Sequence, residues 1–299
     1  MNSKTTAITF GKVLVIGSCI TFFASCGGDS GEGTETLDTA RTNLVKNNTQ
    51  KVFTTVPSPI EMATLLQKAG AKYDKSILND IENASKYSST ASKALNLGVY
   101  GADLTYTSVF DQTNESMFFL TASKKLADGL GVSEAFKKET LDRMQNNVND
   151  KDSMMAIISN SFGDIDSYLQ ENDRANVSAL VIAGGWVEGL YLACKIAKIA
   201  SNPADIKTRL AEQKLSLNSL LAILNAYSAD AAVTDVAKDL TALKEVYTNV
   251  TVNTSNSTVT ANESGTFSIG ADADKPTLSD EQFEKISAKI IEIRNKIVN

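Results

Sequence analysis

Apolar side chains recur at intervals of three and four along most of this chain, the spacing that gathers them on one face of an α-helix. After Asp150, a natural capping residue, they fall at Met154, Met155, Ile157, Ile158, Phe162, Ile165 and Leu169. Punctuation between such runs follows helix grammar. Ser58-Pro59-Ile60-Glu61 joins a capping serine, a proline suited to the first helical position and a glutamate that completes a capping box. Ile60, Met62, Leu65, Leu66 and Ala69 follow, with Gly70 as the stop. Gly129 and Gly131 end a helix carrying Phe118, Phe119, Leu120 and Leu126, and Ser133 restarts the chain. Asn202-Pro203-Ala204-Asp205 opens a helix through about Tyr227. Ser279-Asp280-Glu281-Gln282 is a second capping box, opening a terminal helix through Val298. About nine or ten helices result, and the predicted fold class is all-α, a multi-helix bundle or array.

Two segments depart from the amphipathic rule. Val177 to Cys194, VSALVIAGGWVEGLYLAC, is apolar on nearly every side and near membrane-spanning length. Its three glycines, its central Glu188 and the amphipathic helices on either side predict a buried central helix (about 177–194) rather than a membrane span. Thr248 to Pro276 is rich in Ser, Thr, Asn and Asp. There the alternating pairs Val250/Val252 and Phe267/Ile269, with Gly265 between them, predict a small β-hairpin or ordered loop near 249–270.

The first residues carry an address. Lys4 and Lys12 are followed by an apolar stretch, Val13 to Phe23, and by the small residues Ala24 and Ser25 before Cys26. That order is the one found in secretory signal peptides, and the apolar run is too short to span a bilayer, which takes about 20 residues. Phe23-Ala24-Ser25-Cys26 resembles a bacterial lipobox, in which the cysteine thiol is acylated and becomes the mature N-terminus. Ile16-Gly17-Ser18-Cys19 fits the same pattern, but cleavage there leaves only Val13 to Ile16 as the apolar region after Lys12. The expected division is a lipoprotein signal peptide over 1–25, a flexible tether over 26–56 from lipidated Cys26, and a single helical domain over 57–299. Gly27, rather than Asp, follows the cysteine, and this resembles outer-membrane lipoproteins; whether the periplasmic or the surface face is occupied stays open.

Composition then narrows the chemistry. Removing a leader that holds Lys4 and Lys12 takes the net charge from −6 to −8, so a polyanion such as nucleic acid is repelled rather than steered in. There is no histidine, which excludes Ser-His-Asp and Cys-His catalysis in their usual forms and histidine-dependent zinc sites. Of the three cysteines, only Cys194 would remain unmodified in the mature chain. It sits in an apolar run, so a buried small hydrophobe is expected there, with no internal disulfide. No Walker-type loop, dinucleotide fingerprint or EF-hand spacing is present, so no cofactor is expected. Carboxylate, lysine or tyrosine chemistry is what remains.

Two stretches mix glycine, aromatics and carboxylates at helical spacing: LNLGVYGADLTYTSVF (Leu95 to Phe110) and AGGWVEGLYLAC (Ala183 to Cys194). Glycine inside a helix costs about 1 kcal/mol against alanine and so has a packing reason. On one reading Gly98 with Gly101, and Gly185 with Gly189, let the two helices approach closely. Asp103 and Glu188 are then buried carboxylates satisfied by tyrosine hydroxyls or a lysine. On the other, glycine opens space for a ligand beside Tyr100, Asp103, Tyr106, Trp186, Glu188 and Tyr191, whose flat apolar faces with polar edges suit sugars or aromatic ligands. Two carboxylates about 5–10 Å apart could also perform glycosidase chemistry.

The stretch SKALNLGVYGADLTYTSVFDQTNESMFFLTASKKLADGLG, with the later WVEGLYLA helix, is similar to a group of uncharacterised, predominantly helical lipoproteins of the Bacteroidetes. The similarity covers most of residues 57–299, and LGVYGADL is its distinctive motif. It brings no established activity, and so no catalytic residue. It does imply that Asp38-Thr39-Ala40, in the tether, and Asp152-Ser153-Met154 match an O-glycosylation pattern of that group. The functional expectation is a non-enzymatic binding or scaffold module at the membrane, meeting a small molecule, a glycan or an envelope protein. A carboxylate-dependent enzyme acting on glycans is the alternative.

Overall fold

Local signals in the backbone decide where each helix starts and stops. The computed structural model describes residues 65, 69–133, 138–147, 150–251, 259–261, 267–269 and 276–299. The leader, Cys26, the tether and the Ser58 capping signal lie outside the described residues, as do Val252 and Gly265. Within them the chain forms eight α-helices: α1 (Thr90–Val109), α2 (Thr113–Leu130), α3 (Lys138–Asn146), α4 (Lys151–Glu171), α5 (Ala175–Ile199), α6 (Ala204–Asn225), α7 (Ala231–Val246) and α8 (Asp280–Val298). Two 3₁₀ turns, Lys75–Ile77 and Ile81–Ser85, precede them, each capped by an aspartate side chain, Asp74 and Asp80.

Caps are made as the residue types dictate. The Ser89, Asp150 and Asp230 side chains accept from backbone N–H groups in the first turns of α1, α4 and α7. At α8 the capping box is complete: Ser279 Oγ accepts from Gln282 N, and Gln282 Oε1 accepts from Ser279 N. Helix α2 ends on Gly131, whose φ of 70° is left-handed, and Val132 N–H returns to the Ala127 carbonyl at 3.0 Å. Gly129, expected to share that role, is instead part of the last turn of α2.

Helix α5 is the hub. It packs against α1, α4, α6, α7 and α8, and its buried residues run from Val177 to Ala197 on all sides. Among the described residues it is the one helix long and apolar enough to cross a membrane, and 83% of its most apolar stretch is buried inside the protein. Its closest partner is α1. A Cβ on Gly184 would fall on the Leu95 carbonyl, and one on Gly98 would fall on the Val181 carbonyl. The two backbones meet because neither residue has a side chain. Gly101 plays a different part, making room for the Phe162 ring of α4. Gly189, expected to share the crossing with Gly185, has nothing among the described residues within 4 Å of where its Cβ would lie.

Among the described residues there is no sheet layer. Three-residue strands Val259–Ala261 and Phe267–Ile269 pair antiparallel, well below what an independent hairpin needs for stability. The hairpin expected near 249–270 is therefore unsupported as a part of the fold. Val250, half of its expected first strand, instead lies buried after α7. Its carbonyl accepts from Lys214 Nζ of α6 at 2.6 Å.

Candidate functional site

Tyr100, Asp103 and Tyr106 lie three apart along α1 and therefore share a face; Glu188 and Tyr191 do the same on α5. All are buried. Tyr100 Oη donates to the Asp80 carbonyl at 2.7 Å, tying α1 to the 3₁₀ turn that Asp80 caps. Tyr106 Oη accepts from Asp74 N at 3.0 Å, and its ring stacks on Tyr73 at 5.5 Å and meets Phe110 at 4.9 Å. Burial pushes both phenols above the ordinary tyrosine range.

Trp186 does not belong with them. It is two residues from Glu188, which places it on the opposite side of α5. Its Nε1 donates to Ser216 Oγ of α6 at 3.0 Å, and Ser216 in turn bonds Gln213.

Asp103 and Glu188 come together at the α1–α5 interface, and both are 0% exposed. Their main partner is one that the sequence reading missed. Arg294 of α8, itself only 8% exposed, donates to Glu188 through Nε at 3.0 Å to Oε2 and Nη2 at 3.2 Å to Oε1. This is a bidentate fork, the strongest geometry open to this pair. The Tyr191 ring lies 4.5 Å from the guanidinium carbon and covers it, a cation–π contact on the remaining face. Asp103 Oδ2 accepts from Asn79 N at 3.1 Å, Oδ1 has no hydrogen-bond donor among the described residues, and the Glu188 carboxylate lies beside the Asp103 carboxyl.

Polar residues around this cluster hold the end of α8. Tyr87 Oη donates to the Val298 carbonyl at 3.1 Å, and Asn96 Nδ2 to the Ile297 carbonyl at 2.9 Å. Asn79 Nδ2 donates to Tyr87 Oη at 3.0 Å. Electrostatics follow from this geometry. Burial first, and then the charge of Glu188, push Asp103 well above the usual carboxylate range, against the pull of Asn79 N–H and Arg294. Burial also pushes Glu188 upward, while Arg294 holds it back. Burial disfavours the charge on Arg294, but Glu188 beside it more than offsets this.

The signal for Arg294 was present in its register. Phe283, Ile286, Ile290, Ile293 and Ile297 form the apolar stripe of α8, and position 294 is four beyond Ile290 on that stripe. An arginine there must be buried and must find an anion. The expected tyrosine or lysine partners for the two carboxylates are replaced by this arginine and by each other. Cys194 is buried as expected, its thiol pushed up to about 12 by burial. No protein-family model, no curated protein and no solved structure matches the chain.

Proposed function

We propose that this protein is a lipid-anchored module of the cell envelope, acylated at Cys26 and held at the outer membrane, whose helical domain binds or scaffolds rather than catalyses. The observation that carries the non-enzymatic half is the closure of the carboxylate pair: Asp103 and Glu188 have no exposed surface, and their oxygens face Arg294, Asn79 and each other. A glycan-cleaving enzyme needs two carboxylates facing an open cleft with room for the sugar between them. With no histidine in the chain, these two were the best acid–base candidates. The anchoring half is supported by Phe23-Ala24-Ser25-Cys26 behind an apolar leader. The partner is a small molecule, a glycan or an envelope protein, not nucleic acid.

Metabolic labelling with a palmitate analogue in the native host tests the anchor. Label is expected to vanish in Cys26→Ala and persist in Cys19→Ala; label that survives the first change refutes it. Release of sugar from envelope glycans by the purified domain, abolished by Glu188→Gln in a folded variant, would overturn the non-enzymatic reading.

A further inference from the structure

One oxygen in the core is left without an explanation by the ion pair. Asp103 Oδ1 is buried, no N–H or O–H among the described residues is directed at it, and the Glu188 carboxylate lies beside the Asp103 carboxyl. Two ionised carboxylates in contact, beside a single guanidinium, would leave a net negative charge in the core, which is far more costly than a neutral cluster. Arg294 cannot serve both, because its fork is committed to the two oxygens of Glu188. A proton on Asp103 resolves the conflict. Oδ2 is then the carbonyl oxygen that accepts from Asn79 N, and Oδ1–H becomes the donor Glu188 can still accept. Every oxygen of the two carboxyl groups then has a partner, and the charges of the cluster cancel.

We propose that Asp103 Oδ1 carries a proton and donates a hydrogen bond to Glu188, so that Asp103, Glu188 and Arg294 latch the C-terminal helix α8 as a neutral unit whose hold weakens when that proton is lost. Among the described residues, the groups facing Asp103 leave no other charge to take its place. Tyr100 and Tyr106 flank it on α1, Tyr73 approaches from the preceding segment, Tyr191 and Glu188 from α5, and Arg294 from α8. Of these only Arg294 is cationic. Burial and the neighbouring Glu188 act in the same direction, holding Asp103 in its acid form. The sign follows from linkage. A carboxyl group whose value is raised on folding stabilises fully below the ordinary carboxylate range, and that contribution is lost as pH rises through the raised value.

Two measurements test the proposal. Carboxyl-carbon NMR of folded wild-type protein, labelled in aspartate alone, is expected to show one resonance that stays at the protonated position at neutral pH. A glutamate-labelled sample is expected to show none. If all aspartates are ionised at neutral pH, or if the proton is found on a glutamate, the proposal fails, whatever any variant does. The second measurement is denaturant unfolding of wild type and Asp103→Asn from pH 4 to pH 9. Asparagine keeps both hydrogen bonds and cannot ionise, so its stability relative to wild type is expected to grow as pH rises. Parallel profiles overturn the proposal, and so does an Asp103→Asn variant that fails to fold, since a neutral acid should be replaceable by its amide.

Discussion

Gly184 and Gly189 lie on the same helix, five residues apart, and the same substitution at each is expected to move stability in opposite directions. Alanine in place of glycine in a helix interior gains about 0.8–1.0 kcal/mol through propensity alone. At Gly189 nothing lies within 4 Å of the added Cβ, so that gain should be realised in full. For a domain of about 150–250 residues it corresponds to a rise of about 2–4 °C in Tm. At Gly184 the Cβ would fall on the Leu95 carbonyl, with the Leu95 Cα 2.9 Å away. The obstacle is backbone, which cannot rotate aside as a side-chain tip can. Helix α1 would have to back away from α5, opening contacts along their whole interface. Overpacking of a core costs about 1–3 kcal/mol where side chains can adjust, and a backbone collision belongs at or above the upper end. After subtracting the propensity gain, Gly184→Ala is expected to lose about 2 kcal/mol or more. Urea unfolding of wild type and both variants, followed by circular dichroism with m-values compared, measures this directly. Equal stability of the Gly184 variant and wild type, or a shift of the same sign in both variants, refutes the account of the α1–α5 crossing.

Glu188→Gln breaks the Arg294 fork and takes from the buried guanidinium the anion it is hydrogen-bonded to, so it is expected to cost about 3–5 kcal/mol by thermal or denaturant unfolding, against little or no loss for Asp103→Asn. A loss no larger than 1 kcal/mol in Glu188→Gln would show that the pair is not sealed from water. Cys194 is 0% exposed and its thiol is raised to about 12, so in a domain lacking the leader it is expected to resist thiol reagents at neutral pH until urea unfolds the chain; rapid modification under native conditions contradicts this.

What the sequence discloses here is what is local. Helix caps are decided within four residues, so Ser279 to Gln282 and the stop at Gly131 could be read directly, and the all-apolar circumference of α5 marked it as central. The candidate site was legible only in halves. Face sharing three residues apart grouped Asp103 with its tyrosines correctly, while nearness in the chain wrongly attached Trp186, which the helical period sends to α6. Arg294, 106 residues from Glu188, could be suspected from its register but not paired, because pairing is a property of how α8 docks. That docking is where a buried ion pair has its clearest effect. The α8 stripe is nearly all isoleucine: Ile286, Ile290, Ile293 and Ile297. Sliding the helix by one turn would set one isoleucine close to the place of another, at small cost in apolar burial. The same slide would strand Arg294 away from Glu188 and leave both charges buried alone, a cost of several kcal/mol. It would also pull the Ile297 and Val298 carbonyls from Asn96 and Tyr87. The apolar stripe thus supplies attraction without register, and the polar cluster at its end supplies the register.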